Sequence, residues 1–74
     1  MNAAPSKVGI FVNDQPHELA GPATLMAVLA SLGLAERRGV AAAVNGEVVS
    51  RGSWETRALA DRDRVVVIRA TQGG

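Results

Sequence analysis

The strongest structural constraint in this sequence is a run of four β-branched residues near its end, Val-Val-Val-Ile at residues 65–68. Such residues favour extended backbone, and an unbroken run is typical of a central strand with apolar groups on both faces. The chain has 74 residues and no cysteine, which excludes a disulfide and leaves room for one small domain. We therefore predict a single aliphatic core around a central strand at residues 64–69.

The start of the chain predicts a hairpin. Residues 7–12 alternate in character, so Ile10 falls on one strand face and Phe11 on the other. Residues 13–16, Asn-Asp-Gln-Pro, are typical of a turn. Residues 17–19 then return as a short second strand.

A helix is predicted next. Thr24 has the side chain of an N-cap residue, and Gly33 suits the left-handed position just past a helix end. The predicted buried stripe, with the spacing i, i+3, i+4 and i+7, consists of Leu25, Val28, Leu29 and Leu32.

An Asn-Gly step at residues 45–46 predicts a second hairpin, because both residues tolerate the positive φ of a type I′ turn. It joins strands at residues 40–44 and 48–49. The alanines of the first strand favour a helix by propensity, and the Asn-Gly step decides against it. Ser53 is predicted to cap a short helical turn around Trp54.

The predicted order is therefore β-β-α-β-β-β, a mixed sheet packed on one helix. This is an α+β fold of the β-grasp (ubiquitin-like) type. We divide the chain into a disordered lead-in at residues 1–6, the β-grasp domain at 7–69 and a flexible tail at 70–74.

Composition excludes several function classes. Eight basic and seven acidic residues give a net charge of +1, without the basic excess of a nucleic-acid binder. No apolar run reaches the roughly 20 residues that span a bilayer, and no export signal is present, so a cytoplasmic location is expected. His17 is the single histidine and is predicted to be a surface strand residue. Asp61 and Asp63 flank a predicted turn and are too few to hold a hard cation. We expect no catalytic site, no metal and no bound cofactor of the chain's own.

The remaining candidate is the chain end, Gly73-Gly74. Two glycines are thin and flexible, so they fit a narrow channel, and they leave the last carbonyl carbon unhindered. A terminal α-carboxylate is ionised near neutral pH and is a possible nucleophile toward the α-phosphate of ATP. Adenylation would give it a good leaving group, which a sulfur nucleophile could displace.

The sequence from about Val8 to Gly74 resembles the ThiS family of sulfur carrier proteins in thiamine thiazole synthesis. The residues that carry the resemblance, in order, are Asn13-Asp14-Gln15, the helix led by Thr24, Val44-Asn45-Gly46-Glu47-Val48-Val49, Arg51, Trp54, Leu59-Ala60-Asp61, Asp63-Arg64-Val65 and Gln72-Gly73-Gly74. Arg62 stands where the family usually has glycine, so a different turn type is expected there.

The resemblance implies a mechanism. An E1-like adenylating enzyme, which uses ATP, would activate Gly74. Sulfur from a cysteine desulfurase or a relay protein would convert it to a thiocarboxylate, which thiazole synthase would consume. Gly73 would form a thin neck and Gln72 would help to guide the tail.

The resemblance also implies docking through the open face of the sheet. By strand alternation, Val65 and Val67 should face the helix, while Val66 and Ile68 face outward beside Phe11. These three outward residues would form an exposed apolar docking face.

Other functions stay open from the sequence. The small subunit of molybdopterin synthase has the same fold, Gly-Gly end and thiocarboxylate with a different acceptor. A ubiquitin-like modifier would instead form isopeptide bonds. A plain ubiquitin-like interaction module would not need the tail.

Overall fold

The computed structural model describes residues 7–69 of the chain. The helices and strands within this range are β1 (Lys7–Val12), β2 (Gln15–Ala20), β3 (Ala23–Thr24), α1 (Leu25–Ser31), β4 (Val40–Val44), β5 (Glu47–Val49), a 3₁₀ turn (Arg51–Ser53), β6 (Ala58–Leu59) and β7 (Arg64–Arg69). The predicted lead-in at residues 1–6 and tail at residues 70–74 lie outside the described residues.

The main sheet has five strands in the order β2-β1-β7-β4-β5. Strand β7 lies at the centre, as the Val-Val-Val-Ile run predicts. It is parallel to β1 and antiparallel to β4, so the sheet is mixed. The two hairpins, β1–β2 and β4–β5, form the sides. The predicted β-grasp architecture is confirmed.

Helix α1 begins at the predicted cap, where the Thr24 Oγ1 accepts a hydrogen bond from the Ala27 N–H at 3.2 Å. Three of the four predicted stripe residues are buried in the core, and Leu32 is the exception. Leu32 lies past the last turn as the C-cap residue and is 36% exposed. Gly33 then turns the chain at φ +76°. Leu34, rather than Leu32, packs against the core. The sequence prediction for Leu32 was therefore wrong.

Two short strands, β3 and β6, were not predicted. They pair with each other in a separate two-stranded sheet beside the start of α1. The Leu25 N–H donates to the Arg57 carbonyl at 2.9 Å, and the Met26 N–H donates to the Trp54 carbonyl at 2.9 Å. The carbonyl groups of Trp54 and Arg57, just before β6, therefore accept hydrogen bonds from two of the N–H groups that the first helical turn leaves without an internal partner.

Trp54 is a fully buried core residue at the edge of the sheet, with 0% exposure. Its Nε1 donates to the Val49 carbonyl at 3.0 Å, which satisfies the polar atom that burial would otherwise penalise. The adjacent helical turn lies before the tryptophan, at Arg51–Ser53, and begins after Ser50 with no side-chain cap. A turn around Trp54 is present, but the predicted Ser53 side-chain cap was wrong: the Ser53 carbonyl accepts from the Thr56 and Arg57 N–H groups, while its hydroxyl accepts from Ser50.

Arg51 holds the loop that follows α1 in place through hydrogen bonds. Its guanidinium lies 4.5 Å from the centroid of the Trp54 ring and donates to the carbonyl groups of Ala35 and Arg37. A planar guanidinium can donate along its edge while its face covers an aromatic ring. Arg51 and Trp54 together therefore connect the β5 edge to the loop between α1 and β4.

Candidate functional site

The two faces of β7 differ in exposure as the sequence predicts. Val65 is 1% exposed and lies in the core, with the half-buried Val67 packed against the same cluster. Val66 is 45% exposed and Ile68 is 61% exposed, on the opposite face. Phe11 on β1 is also exposed, at 40%. The inward and outward assignment of these residues is confirmed.

The exposed apolar surface extends further than predicted. Cross-strand register places Ala43 opposite Val66 and Ala41 opposite Ile68, and Val48 opposite Ala43. Val48 is the most exposed large apolar residue of the described chain, at 75%. We call this surface the outer patch, and its members are Phe11, Ala41, Ala43, Val48, Val66 and Ile68.

Val48 was missed by the sequence analysis. The sequence does contain a signal for Val48, because a type I′ turn at residues 45–46 fixes the register of the strand that follows it. Val49, the next residue on that strand, is buried. Alternation then sends Val48 outward. A contiguous apolar surface that crosses four strands is a common mark of a protein-binding site.

The loop before β7 is held by its two carboxylates. Asp61 Oδ1 accepts from the Gly9 N–H at 2.8 Å, and Asp63 Oδ2 accepts from the Ala60 N–H at 2.8 Å. Arg62 adopts φ +73°, so this turn keeps a left-handed residue although it lacks glycine. These carboxylates organise a turn, and residues 7–69 contain no group of three or more metal-ligating side chains.

Among residues 7–69, no conventional catalytic arrangement forms around the histidine. His17 is half-buried in β2, opposite Ile10 on β1. The Ser31 hydroxyl donates to the Val28 carbonyl at 2.8 Å, and the Ser50 hydroxyl donates to Ser53 at 3.5 Å. Within residues 7–69 no helix is long and apolar enough to cross a bilayer.

The predicted reactive residues Gln72, Gly73 and Gly74 lie outside the described residues, so their roles stay predictions. The strand that leads to them is well defined. Strand β7 pairs with β4 as far as Arg69, opposite Val40. The segment that ends in Gly-Gly therefore follows directly from the strand that supplies part of the outer patch.

Comparisons with known proteins agree with this architecture. The model of the ThiS family matches residues 10–74. A crystal structure of the thiamine biosynthesis protein ThiS from Geobacter metallireducens is similar with a TM-score of 0.73 and 26% identity, covering 90% of this chain and 100% of that one. A solution structure of a thiamine biosynthesis protein from the same organism gives a TM-score of 0.72 and 26% identity, covering 90% of this chain and 88% of that one. The comparison with curated protein sequences gives no match.

Proposed function

Because this chain belongs to the ThiS family, whose model matches it from residue 10 to Gly74, we propose that it is a sulfur carrier for the thiazole synthase of thiamine biosynthesis. The chain is a co-substrate rather than an enzyme in this proposal. An E1-like enzyme binds ATP, and the Gly74 carboxylate attacks its α-phosphate with loss of pyrophosphate. A cysteine desulfurase or a relay protein supplies persulfide sulfur, which thiols reduce to the oxidation level of sulfide with formation of a disulfide. The sulfide-level sulfur attacks the acyl carbon and displaces AMP. The resulting thiocarboxylate passes its sulfur to thiazole synthase.

The observation that supports this proposal is the position of the outer patch relative to the tail. Val66 and Ile68 belong to β7, and residues 70–74 follow that strand directly. An extended segment of this length reaches roughly 17 Å at most. Once an enzyme covers the outer patch, Gly74 therefore reaches a catalytic centre that lies up to that distance from the end of β7. A di-glycine end adds no Cβ where the acyl carbon must be attacked.

The test of this function is the intact mass of the protein after incubation with ATP, an E1-like activating enzyme and a sulfur donor. The expected result is replacement of one oxygen atom by sulfur, located at Gly74 by fragmentation. An established carrier is treated in parallel as the positive control. An unchanged mass in this chain, with conversion of the control, would contradict the carrier function. Formation of a thiocarboxylate that thiazole synthase does not consume would instead indicate a different acceptor.

A docking prediction follows from the outer patch. We expect Val66→Asp to weaken binding of the activating enzyme at least about tenfold, because loss of a central apolar contact typically costs ~1–2 kcal/mol or more. The matched control is Ala27→Asp, an equally acidic change on the exposed side of α1. Isothermal titration of both variants measures the effect. Equal affinities for the two variants would remove the outer patch from the proposed interface.

A further inference from the structure

Asn13 makes more hydrogen bonds than its position in a turn requires. It is the first residue of the β1–β2 turn and has φ +49°. Its backbone N–H donates to the Val65 carbonyl at 2.8 Å. Its side-chain Oδ1 accepts from the Val67 N–H at 2.9 Å, and its Nδ2 donates to the Val67 carbonyl at 3.2 Å. A residue 54 positions away in the sequence thus binds the backbone of β7 three times.

These bonds reproduce the pattern of a parallel ladder. In such a ladder, one residue donates to a carbonyl of the neighbouring strand and accepts from an N–H two residues further along. Asn13 does this for Val65 and Val67, with its side-chain carbonyl in place of its main-chain carbonyl. The backbone pairing of β1 with β7 ends at Val12, opposite Val65. The Asn13 side chain therefore continues the ladder past the point where β1 turns away.

The other hairpin has a similar arrangement at the start of β7. Asn45 is the first residue of the β4–β5 turn, with φ +52°. Its N–H donates to the Arg64 carbonyl at 2.8 Å, and its Oδ1 accepts from the Arg64 N–H at 2.9 Å. Two turn asparagines therefore hold the start and the later half of one central strand. Of these two asparagines, only Asn13 makes hydrogen bonds to Val67, in the half of β7 that leads to the chain end.

We propose that Asn13 is a positioning residue for the transfer reaction, an inference that rests on the proposed carrier function. Beyond Val65, β4 holds one side of β7, and Asn13 is what holds the Val67 backbone on the other side among the described residues. With both sides held, the last residues of the strand keep one direction relative to the outer patch. That direction determines where a docked partner receives Gly74. Without Asn13 the domain still folds and docks, but orienting the chain end becomes part of the reaction barrier.

The experiment compares Asn13→Gly with Asn45→Gly in the full chain. Glycine tolerates positive φ, so both changes preserve the turns and remove an asparagine side chain from β7. For Asn13→Gly we expect about tenfold faster amide exchange at Val67 and an about tenfold lower rate of thiocarboxylate formation at saturating activating enzyme, the factor that corresponds to ~1.4 kcal/mol. We expect its half-saturating concentration to stay within about twofold of the wild-type value, since docking uses the outer patch. Asn45→Gly should leave the rate and the Val67 exchange unchanged at a comparable loss of stability.

A third variant covers the case in which Asn13→Gly does not fold. Asn13→Asp keeps the acceptor for the Val67 N–H and loses the donor to the Val67 carbonyl, so an intermediate rate is expected. If the asparagine variants at both positions slow transfer equally, or if either Asn13 variant transfers at the wild-type rate, the positioning role is overturned and the carrier function stands. If the wild-type chain itself gains no sulfur, the carrier function fails and the positioning role falls with it.

Discussion

Deletion of Gly73 and Gly74 is expected to abolish thiocarboxylate formation completely and to leave the folded domain unchanged. The new terminal residue would be Gln72, whose side chain crowds the acyl carbon, and the chain would be shorter by roughly 7 Å of reach. Crowding hinders attack on the acyl carbon, and the shorter reach places the carboxylate too far from ATP for an in-line attack. No loss of core packing is expected, because glycine has no side chain to bury and the core of the described residues is built from apolar side chains between Ile10 and Val65.

The deletion is measured by intact mass for transfer and by a thermal melt for folding. The matched control removes residues 2–6, at the other end of the chain, and should retain both transfer and melting temperature. In a domain of this size, a loss of ~1 kcal/mol lowers the melting temperature by about 4–8 °C. A decrease of that magnitude in the truncated form would mean that the tail contributes to packing. Full transfer by the truncated form would exclude Gly74 as the modified residue.

The parts of the fold that the sequence predicts are those with a strong local signal. The Asn-Gly step at residues 45–46 fixes a two-residue turn, since both residues adopt positive φ, and this outweighs the helical preference of the alanines before it. The apolar run at residues 65–68 identifies the central strand. Alternation along that run then separates Val65 from Val66, which is enough to place Val66 and Ile68, two of the six residues of the outer patch.

Apart from Val48, the missed features have no local signal, because they depend on distant residues. Strands β3 and β6 have two residues each, which is too short for any periodicity to show. Leu32 has the correct spacing for the buried stripe, but the helix ends at Ser31. The Asn13 side chain is read from sequence as a turn former, and its hydrogen bonds to Val67 exist only because β7 comes to lie beside β1.

The largest effect on stability is expected from Val65→Asp. Val65 is 1% exposed, so the substitution places a carboxylate in the core and removes a buried side chain worth about 1.5–3 kcal/mol. No polar or charged side chain is buried among residues 7–69, so nothing in the core is available to pair with the new charge, and leaving it unpaired costs several kcal/mol more. A domain of this size rarely has more than ~3–5 kcal/mol of stability. We therefore expect the Val65→Asp variant to be unfolded by circular dichroism at neutral pH.

The matched control is Val66→Asp, the same change one residue further along the strand. Val66 is 45% exposed, so its carboxylate stays hydrated and the domain should keep a native-like spectrum. The pair separates stability from docking, because one residue of β7 faces the core and the next faces a partner. A folded Val65→Asp variant would mean that the core lies on the other side of the sheet. An unfolded Val66→Asp variant would mean that the outer patch is needed for folding, and its effect on binding the activating enzyme could then not be attributed to contact.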